Sequence, residues 1–542
     1  MKKVLRVTGI IVLIIVLVIL ATAGLSYRFI LNDRVEYTVK QTYFPLTTEQ
    51  KLEDFEYLYQ TLKQCFPYFG VKKRQYGTDW LSGKEEFRNM IEQTKSDAEF
   101  YEALEYILMQ IQNGHTGIIE PESIEEYSRI YSGHNPWSQV YCSSRISEAY
   151  DYWQTVVSES DDICLPVSFK YIEGEYYAIG NPADPYGKPE DFGIPSGSRL
   201  CEIDGVSTDE YISGLMGSRF LKYDRMRQKA KVNTFVIYSG KPVELILETP
   251  SGERVKTKLE PQLPVTQTEG EEKMPEHLFS ALKLEKDGIA YLRLPSFSAL
   301  YVEKDSAGIR AFLKEIRDYR SLIIDIRGNG GGSTNYWQRN IVSLLTDKPL
   351  AMKCYVLFRN LEYLKPFLKH KLFYGYFSLK DIKNLNAGNY APEYYFPDGS
   401  GRYAEIVYKV MPNDPVGFRG KIYLLVDDRV FSASESFAAF AKATGWATLV
   451  GTDTGGDGIG YDPIPVVLPN SGLIIRFPGE MGLNPDGSIN EEVKTAPDVY
   501  AEQTYEDFMT QIRESNINDD IFSRMEYDTV LRKAFELAKS AD

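Results

Sequence analysis

Two short segments of this 542-residue chain carry residue types suited to acyl-transfer chemistry. The first, Ser321-Leu-Ile-Ile-Asp-Ile-Arg-Gly-Asn-Gly-Gly-Gly-Ser333, runs an apolar strand into a glycine turn with bare backbone N–H groups. The second, Val426-Asp-Asp-Arg-Val-Phe-Ser-Ala-Ser-Glu435, delivers Ser432 at the start of a predicted helix. A serine acyl-transfer site needs a nucleophile and donors aimed at the developing oxyanion. Ser432 would sit at the positive end of a helix, with the Ala433 N–H pointing into the same space. Ser432-Ala-Ser-Glu435 equally fits a capping box, with Glu435 reaching back to the cap. No G-x-S-x-G signature occurs. The glycine turn has three readings: a structural turn, a phosphate cradle, or an oxyanion hole built from Gly330 or Gly331. Gly328-Asn-Gly-Gly-Gly-Ser333 lacks the third glycine of the dinucleotide fingerprint, and no lysine supports a P-loop.

A serine nucleophile needs a base, and only His115, His134, His277 and His370 are available as histidines. His277 and His370 stand in polar or lysine-rich surroundings that suit a surface role. His115 follows Gly114 at the end of an apolar-periodic run and precedes Thr116, so it is presented at a helix terminus. Lysine is the other common base in serine peptidases.

Positioning these residues takes several elements. Leu52, Phe55, Leu58, Leu62 and Cys65 recur at helical spacing between Thr47 and Phe69. Phe100, Ala103, Leu104, Ile107, Leu108 and Ile111 repeat that spacing up to Gly114. Between about 165 and 262 short β-like runs and Asp-Gly and Ser-Gly turns dominate. The acidic stretch from Gln267 to Lys273 is expected to be a linker or exposed loop. From 288 onward strands and helices alternate. Strands are predicted at Ile289 to Leu294, Leu322 to Ile326, Lys421 to Val426, Ala447 to Gly451 and Leu473 to Phe477. Helices are predicted at Lys304 to Tyr319, Thr334 to Leu345 and Ala433 to Ala443. That order implies an α/β core with a largely parallel sheet. The tyrosine-rich stretch from Leu361 to Tyr408 has no assignment.

Composition narrows the function classes. A net charge of −15 argues against nucleic acid as a partner. The five cysteines, Cys65, Cys142, Cys164, Cys201 and Cys354, have neither disulfide-framework nor zinc-site spacing, and each is expected to be a small buried residue. Met1-Lys-Lys-Val-Leu-Arg followed by an apolar run from Gly9 to Leu20 marks an export signal over residues 1–30. It is either cleaved near Ala21-Thr22-Ala23 or kept as a membrane anchor. The expected location is therefore membrane-anchored facing outside the cytoplasm, or secreted.

Leu322 to Ser333 together with Phe431 to Glu435 resembles the C-terminal processing, or tail-specific, serine peptidases. Gly487-Ser-Ile-Asn-Glu-Glu-Val-Lys-Thr-Ala-Pro-Asp498 looks like that family's closing motif. The resemblance implies an α/β, crotonase-like (ClpP/crotonase) catalytic core over 275–510. It also implies an N-terminal helical domain over 35–160, a PDZ-like β domain over 165–262 and a C-terminal helical tail over 511–542. Tail-specific enzymes proper pair the serine with a lysine in a glycine-bounded loop. Here that loop reads Gly451-Thr-Asp-Thr-Gly-Gly-Asp-Gly458, with Asp457 where the lysine would stand, so the dyad is absent. Asn113-Gly-His-Thr116 is similar to the histidine-using branch of the tricorn core protease, whose glutamate corresponds to Glu491. That branch has a serine before the histidine; Gly114 stands there, and Thr116 is a conceivable substitute. The resemblance implies Ser432 as nucleophile, His115 as base, Glu491 as orienting charge, and Ala433 with Gly330 or Gly331 as oxyanion donors. The implied substrate is a peptide or protein, with no cofactor and no metal. The rival readings are a non-catalytic peptide- or lipid-binding relative and a nucleotide-using enzyme built on the glycine turn.

Overall fold

The computed structural model describes residues 34–35, 37, 39–40, 44–157, 163–180, 188–262, 275–359, 361–371, 380–381, 401–514 and 521–540. The expected export segment over 1–30, the acidic stretch from Gln267 to Lys273, and much of the tyrosine-rich segment lie outside these residues. Among the described residues no helix is long and apolar enough to cross a membrane.

The amino-terminal lobe is helical. Helix α1, Thr48–Cys65, starts at a capping box in which Thr47 and Gln50 exchange bonds, and α2, Phe69–Tyr76, follows and ends at Gly77. Helix α3, Asp97–Met109, is capped by Ser96, and its apolar stripe of Phe100, Leu104 and Ile107 is fully buried. This lobe does not hold a separate core. Leu58, Leu104 and Trp153 belong to one apolar cluster with Val466, Ile475 and Phe477 from the far end of the chain.

Residues 164–259 form a seven-stranded, antiparallel β domain around Phe169, Tyr176, Leu200, Phe235 and Leu245. A hairpin from it, Lys222–Asp224 paired with Lys229–Lys231, leans on the core. There Arg225 meets Asp453 at 3.1 Å, and Asn233 donates to Asp428 Oδ1 at 2.7 Å.

The core is a six-stranded sheet in chain order: β1 Ser280–Leu284, β2 Ile289–Arg293, β3 Ser321–Asp325, β4 Lys421–Val426, β5 Thr448–Gly451 and β6 Val499–Tyr500. Only β1 is antiparallel to its neighbour. Both faces are covered, which is why β3 and β4 read as continuous apolar runs. Leu322, Ile324 and Leu424 pack against α4, Val302–Glu315, and α5, Ala433–Thr444. Ile323 and Leu425 on the opposite face meet Val530, Leu531 and Ala534 of α6, Thr529–Lys539. Burying a Leu or Ile side chain fully is worth about 1.5–3 kcal/mol. The carboxy-terminal helices are thus a structural layer of the core. Arg327 fastens them, bonding Asp325 and Asp528 at 2.8 Å each.

Several elements differ from expectation. The run at Leu473 to Phe477 forms a strand, Ile474–Phe477, but outside the parallel sheet. It pairs antiparallel with Ile464–Val467 and Gly117–Ile118. Only residues 468–473 separate the first two strands, too few for the crossover that parallel pairing requires. The segment Thr334 to Leu345 is helical but carries a π turn at Gln338–Val342. Of the cysteines, Cys65, Cys164 and Cys354 are buried, whereas Cys142 is exposed and Cys201 partly so.

Register places the functional loops. Asp325 lies beside Leu425, and Val426 lies beside Gly451. Strands β3, β4 and β5 therefore end level, and the glycine turn, the Ser432 loop and the Asp457 loop leave one edge together. Loops at the carboxyl ends of parallel strands are where such sheets build sites.

Candidate active site

Ser432 has φ 58° and ψ −122°, a left-handed conformation that a residue with a Cβ rarely adopts. The strand-to-helix turn is therefore sharp enough to push the serine hydroxyl out of the α5 axis, as in a nucleophile elbow. Ser432 makes no side-chain cap bond to α5. Glu435, instead of reaching back, turns inward to Asn490 Nδ2 at 2.8 Å and Thr495 Oγ1 at 2.7 Å. Burial pushes the Glu435 carboxyl above the usual range. These contacts exclude the capping box.

The Ser432 hydroxyl lies 3.0 Å from His115 Nε2, and His115 Nδ1 lies 2.8 Å from Asp457 Oδ2. The chain reaches this meeting by stitching the amino-terminal lobe to the core: Gly117 and Ile118 pair with Arg476 and Ile475, and the Ile119 N–H donates to Ile474 at 2.8 Å. The His115 ring packs on Phe431, centroids 4.5 Å apart. A Cβ on Gly114 would come within 2.9 Å of the Phe431 ring, so the residue that stands as serine in the tricorn-like pattern has no room for a side chain here.

Asp457 sits in a left-handed turn, φ 51°, within Gly455-Gly456-Asp457-Gly458. Burial pushes its carboxyl up, but the imidazole of His115, a hydrogen bond from Asn113 and the Lys72 charge outweigh that and hold it at about 2. An ionised Asp457 accepts only, so Nδ1 carries the imidazole proton and Nε2 is left to accept from the serine O–H. The His115 and Asp457 side chains are 10% and 5% exposed, dry enough to strengthen each of these bonds.

Asn113 organises the loop. Its Oδ1 accepts from the His115 N–H at 3.1 Å and from Thr116 Oγ1 at 2.8 Å, while its Nδ2 donates to Asp457 Oδ2 at 2.9 Å. Thr116 thus bonds Asn113 and not the imidazole. Glu491 lies one layer further back. It forms a buried ion pair with Lys72, lies 3.5 Å from Lys494 Nζ, and reaches the same Asn113 amide at 3.5 Å. The carboxylate against His115 is Asp457, the residue that sequence reasoning treated only as a missing lysine.

The glycine turn packs directly on the elbow: a Cβ on Gly331 would lie 2.8 Å from the Phe431 carbonyl and 3.0 Å from the Ala433 nitrogen. The Gly331 N–H is not free for an oxyanion, because it donates to Asn329 Oδ1 at 2.9 Å. The Gly331 carbonyl accepts from the Phe297 N–H at 2.9 Å, so the trans peptide aims the Gly332 N–H the opposite way. Gly332, and not Gly330, lines the cavity of about 180 Å³ that also contains Ser432, Ala433, His115 and Asp457. Among the described residues neither the Gly332 nor the Ala433 N–H has an acceptor.

Residues 288–501 match the profile of Peptidase family S41. No curated protein sequence matches the chain. Mature CPAF complexed with lactacystin superposes with a TM-score of 0.54 at 15% identity, covering 91% of this chain and 98% of that one. Mature CPAF alone gives 0.53 at 14%, covering 88% and 97%. The photosystem II D1 C-terminal processing protease gives 0.37 at 16%, covering 85% and 94%. At these identities the CPAF likeness is one of fold. Residues 288–501 are therefore a domain of peptidase family S41, the C-terminal processing protease family, and the protein is a serine peptidase, a hydrolase.

Proposed function

We propose that the protein cleaves peptide bonds with Ser432 as nucleophile, His115 as general base and Asp457 as the group that orients His115. The observation that carries this reading is the unbroken line from Ser432 Oγ through His115 to Asp457, at 3.0 and 2.8 Å. His115 Nε2 takes the hydroxyl proton as Ser432 Oγ adds to the scissile carbonyl. The N–H groups of Ala433 and Gly332 receive the oxyanion; removing one such donor typically costs about 3–4 kcal/mol in the transition state. His115 then returns the proton to the leaving amine, and water repeats the sequence on the acyl-enzyme. Glu491 acts from behind this line, through Asn113 and Lys72.

The level ends of β3, β4 and β5 and the two covered faces support a crotonase-like core. The antiparallel 164–259 sheet supports a PDZ-like domain. The basic and apolar start of the chain supports export, with the segment either cleaved or kept as an anchor. A fluorophosphonate probe tests the chemistry: the folded protein should label, Ser432→Ala should not, and His115→Ala should label far more slowly. A folded wild-type protein that refuses the probe would leave a ligand-binding relative instead.

A further inference from the structure

Lys72 is the least expected residue near the catalytic line. It lies in the middle of α2, it is 6% exposed, and its ammonium sits on Glu491, itself 2% exposed. Burial pushes the Lys72 ammonium below the usual lysine range, with the Glu491 charge opposing. A buried pair of this kind is weak evidence for stability, since a well-packed apolar pair often replaces it without loss. The lobes are also joined elsewhere. Asp54 on α1 accepts from the Asn470 and Ser471 N–H groups at 2.7 Å each, and Arg74 pairs with Glu492 at 2.7 Å. The Lys72 pair stands out by its place, because Asn113 Nδ2 touches both Asp457 at 2.9 Å and Glu491 at 3.5 Å. Two buried carboxylates thus converge on the single amide that braces the His115 loop.

Left without a counter-charge, Glu491 would add its field to that of Asp457 at the imidazole. The other groups facing this knot are few. Lys494 lies 3.5 Å from Glu491 Oε2, but its ammonium also donates to the Gly455 carbonyl at 2.9 Å. Tyr68, which precedes α2, donates to Asp457 Oδ1 at 3.3 Å, and the Tyr76 ring at the end of α2 lies 5.9 Å from Lys72 Nζ, with Tyr223 edge-on beyond it. Burial, with the charges of Asp457, Glu491 and Glu480, keeps the Tyr68 phenol protonated.

Resting on the Ser432–His115–Asp457 reading, we propose that Lys72 is a positioning residue of the peptidase. Its ammonium neutralises Glu491, so that His115 faces one effective negative charge, that of Asp457. The start of α2 thereby supplies a phenol to Asp457 from Tyr68 and a cation to Glu491 from Lys72.

The test is the rate of fluorophosphonate labelling of the full chain as a function of pH, which requires no knowledge of the natural substrate. Lys72→Met should move the acid limb of the profile up by about one pH unit, so that labelling at a fixed pH on that limb falls about tenfold. Glu491→Gln alone should move the limb down. Lys72→Met with Glu491→Gln should return it to within about threefold of the wild type, since both charges leave together. A uniform loss at every pH in Lys72→Met, or a double variant no better than Lys72→Met, would reduce Lys72 to a tie between lobes. Should Lys72→Met fail to fold, Glu491→Gln decides by itself: an unmoved limb overturns the proposal. A folded wild type that does not label removes the peptidase reading, an outcome separate from all of these.

Discussion

Asp457→Asn is the sharpest probe of the catalytic line, because the structure fixes which way the new amide must turn. Asp457 Oδ2 accepts from both Asn113 Nδ2 and His115 Nδ1, whereas among the described residues Oδ1 receives only the Tyr68 hydroxyl. An asparagine placing its NH₂ at the Oδ2 position would face two donors. With its oxygen there, the NH₂ meets a phenol oxygen that can accept. Asn113 therefore keeps Nδ1 as donor and Nε2 as acceptor, and the variant loses charge without reversing the tautomer. The charge is present to be lost, since the carboxyl is held at about 2 against a usual 3.8 despite its burial. Losing the charge costs the imidazolium one charge-assisted hydrogen bond, about 1.5–3 kcal/mol, or roughly ten- to a hundredfold in rate. Where an Asp→Asn change at such a triad does reverse the tautomer, the loss is about ten-thousandfold. The assay is kcat/KM on a fluorogenic casein digest, or the fluorophosphonate labelling rate, for Asp457→Asn alone and combined with Asn113→Ala. The single variant should retain about one to ten per cent of activity, and the double should fall much further. A single variant as dead as Ser432→Ala would refute the orientation reasoning, and one within threefold of wild type would remove Asp457 from the line.

Three further outcomes can be checked. Because Ser432 is held at φ 58°, Ser432→Gly should unfold at a higher temperature than Ser432→Ala, by roughly 1 kcal/mol in stability, with both variants inactive; equal thermal midpoints would mean the turn stores no strain. Gln112, at φ 56°, binds the Met216 and Arg219 carbonyls at 2.7 Å each and the Leu221 N–H at 2.6 Å, one residue before Asn113. Gln112→Ala should lower kcat about tenfold with little change in KM, and an unaltered kcat would show that the β domain does not set the His115 loop. Burial pushes Asp325 up, but Arg327 and Arg293 hold it at about 2, below its unfolded value. Its stabilisation is therefore present above ~4 and lost as pH falls from there towards about 2. Asp325→Asn should cost roughly 3 kcal/mol at neutral pH and flatten that acid dependence in thermal melts; a melt profile still parallel to wild type would contradict the assignment.

What sequence could reveal follows from how local the signals are. Lys421–Val426 and Ala433–Thr444 are legible because a two-faced apolar run and an alanine-rich helix ending at Gly445 are properties of neighbouring residues. Gly-His-Thr was legible as a presented histidine for the same reason. Asp457 was read only as a lysine's absence, since its partner is 342 residues away. The available signal was its position: a carboxylate where related enzymes keep a base, in a chain that already offers another base. Gly332 was passed over for Gly330 and Gly331 because peptide orientation is decided by the bridge to Phe297, which no local pattern records. Gly114 looked like a lost serine, and only the approach of Phe431 gives it a reason. Leu473 to Phe477 shows the limit of element order, since strand composition does not say which sheet a strand joins.

The pairing of Gly117–Ile118 with Ile474–Phe477 also has a temporal meaning. A ribosome has already released the imidazole long before it makes the strand that holds it, and the alcohol arrives in between. His115, Ser432 and Asp457 are therefore all synthesised before the strand that docks the His115 loop. On the proposed reading, the site is complete only once Ile474–Phe477 has joined Gly117–Ile118.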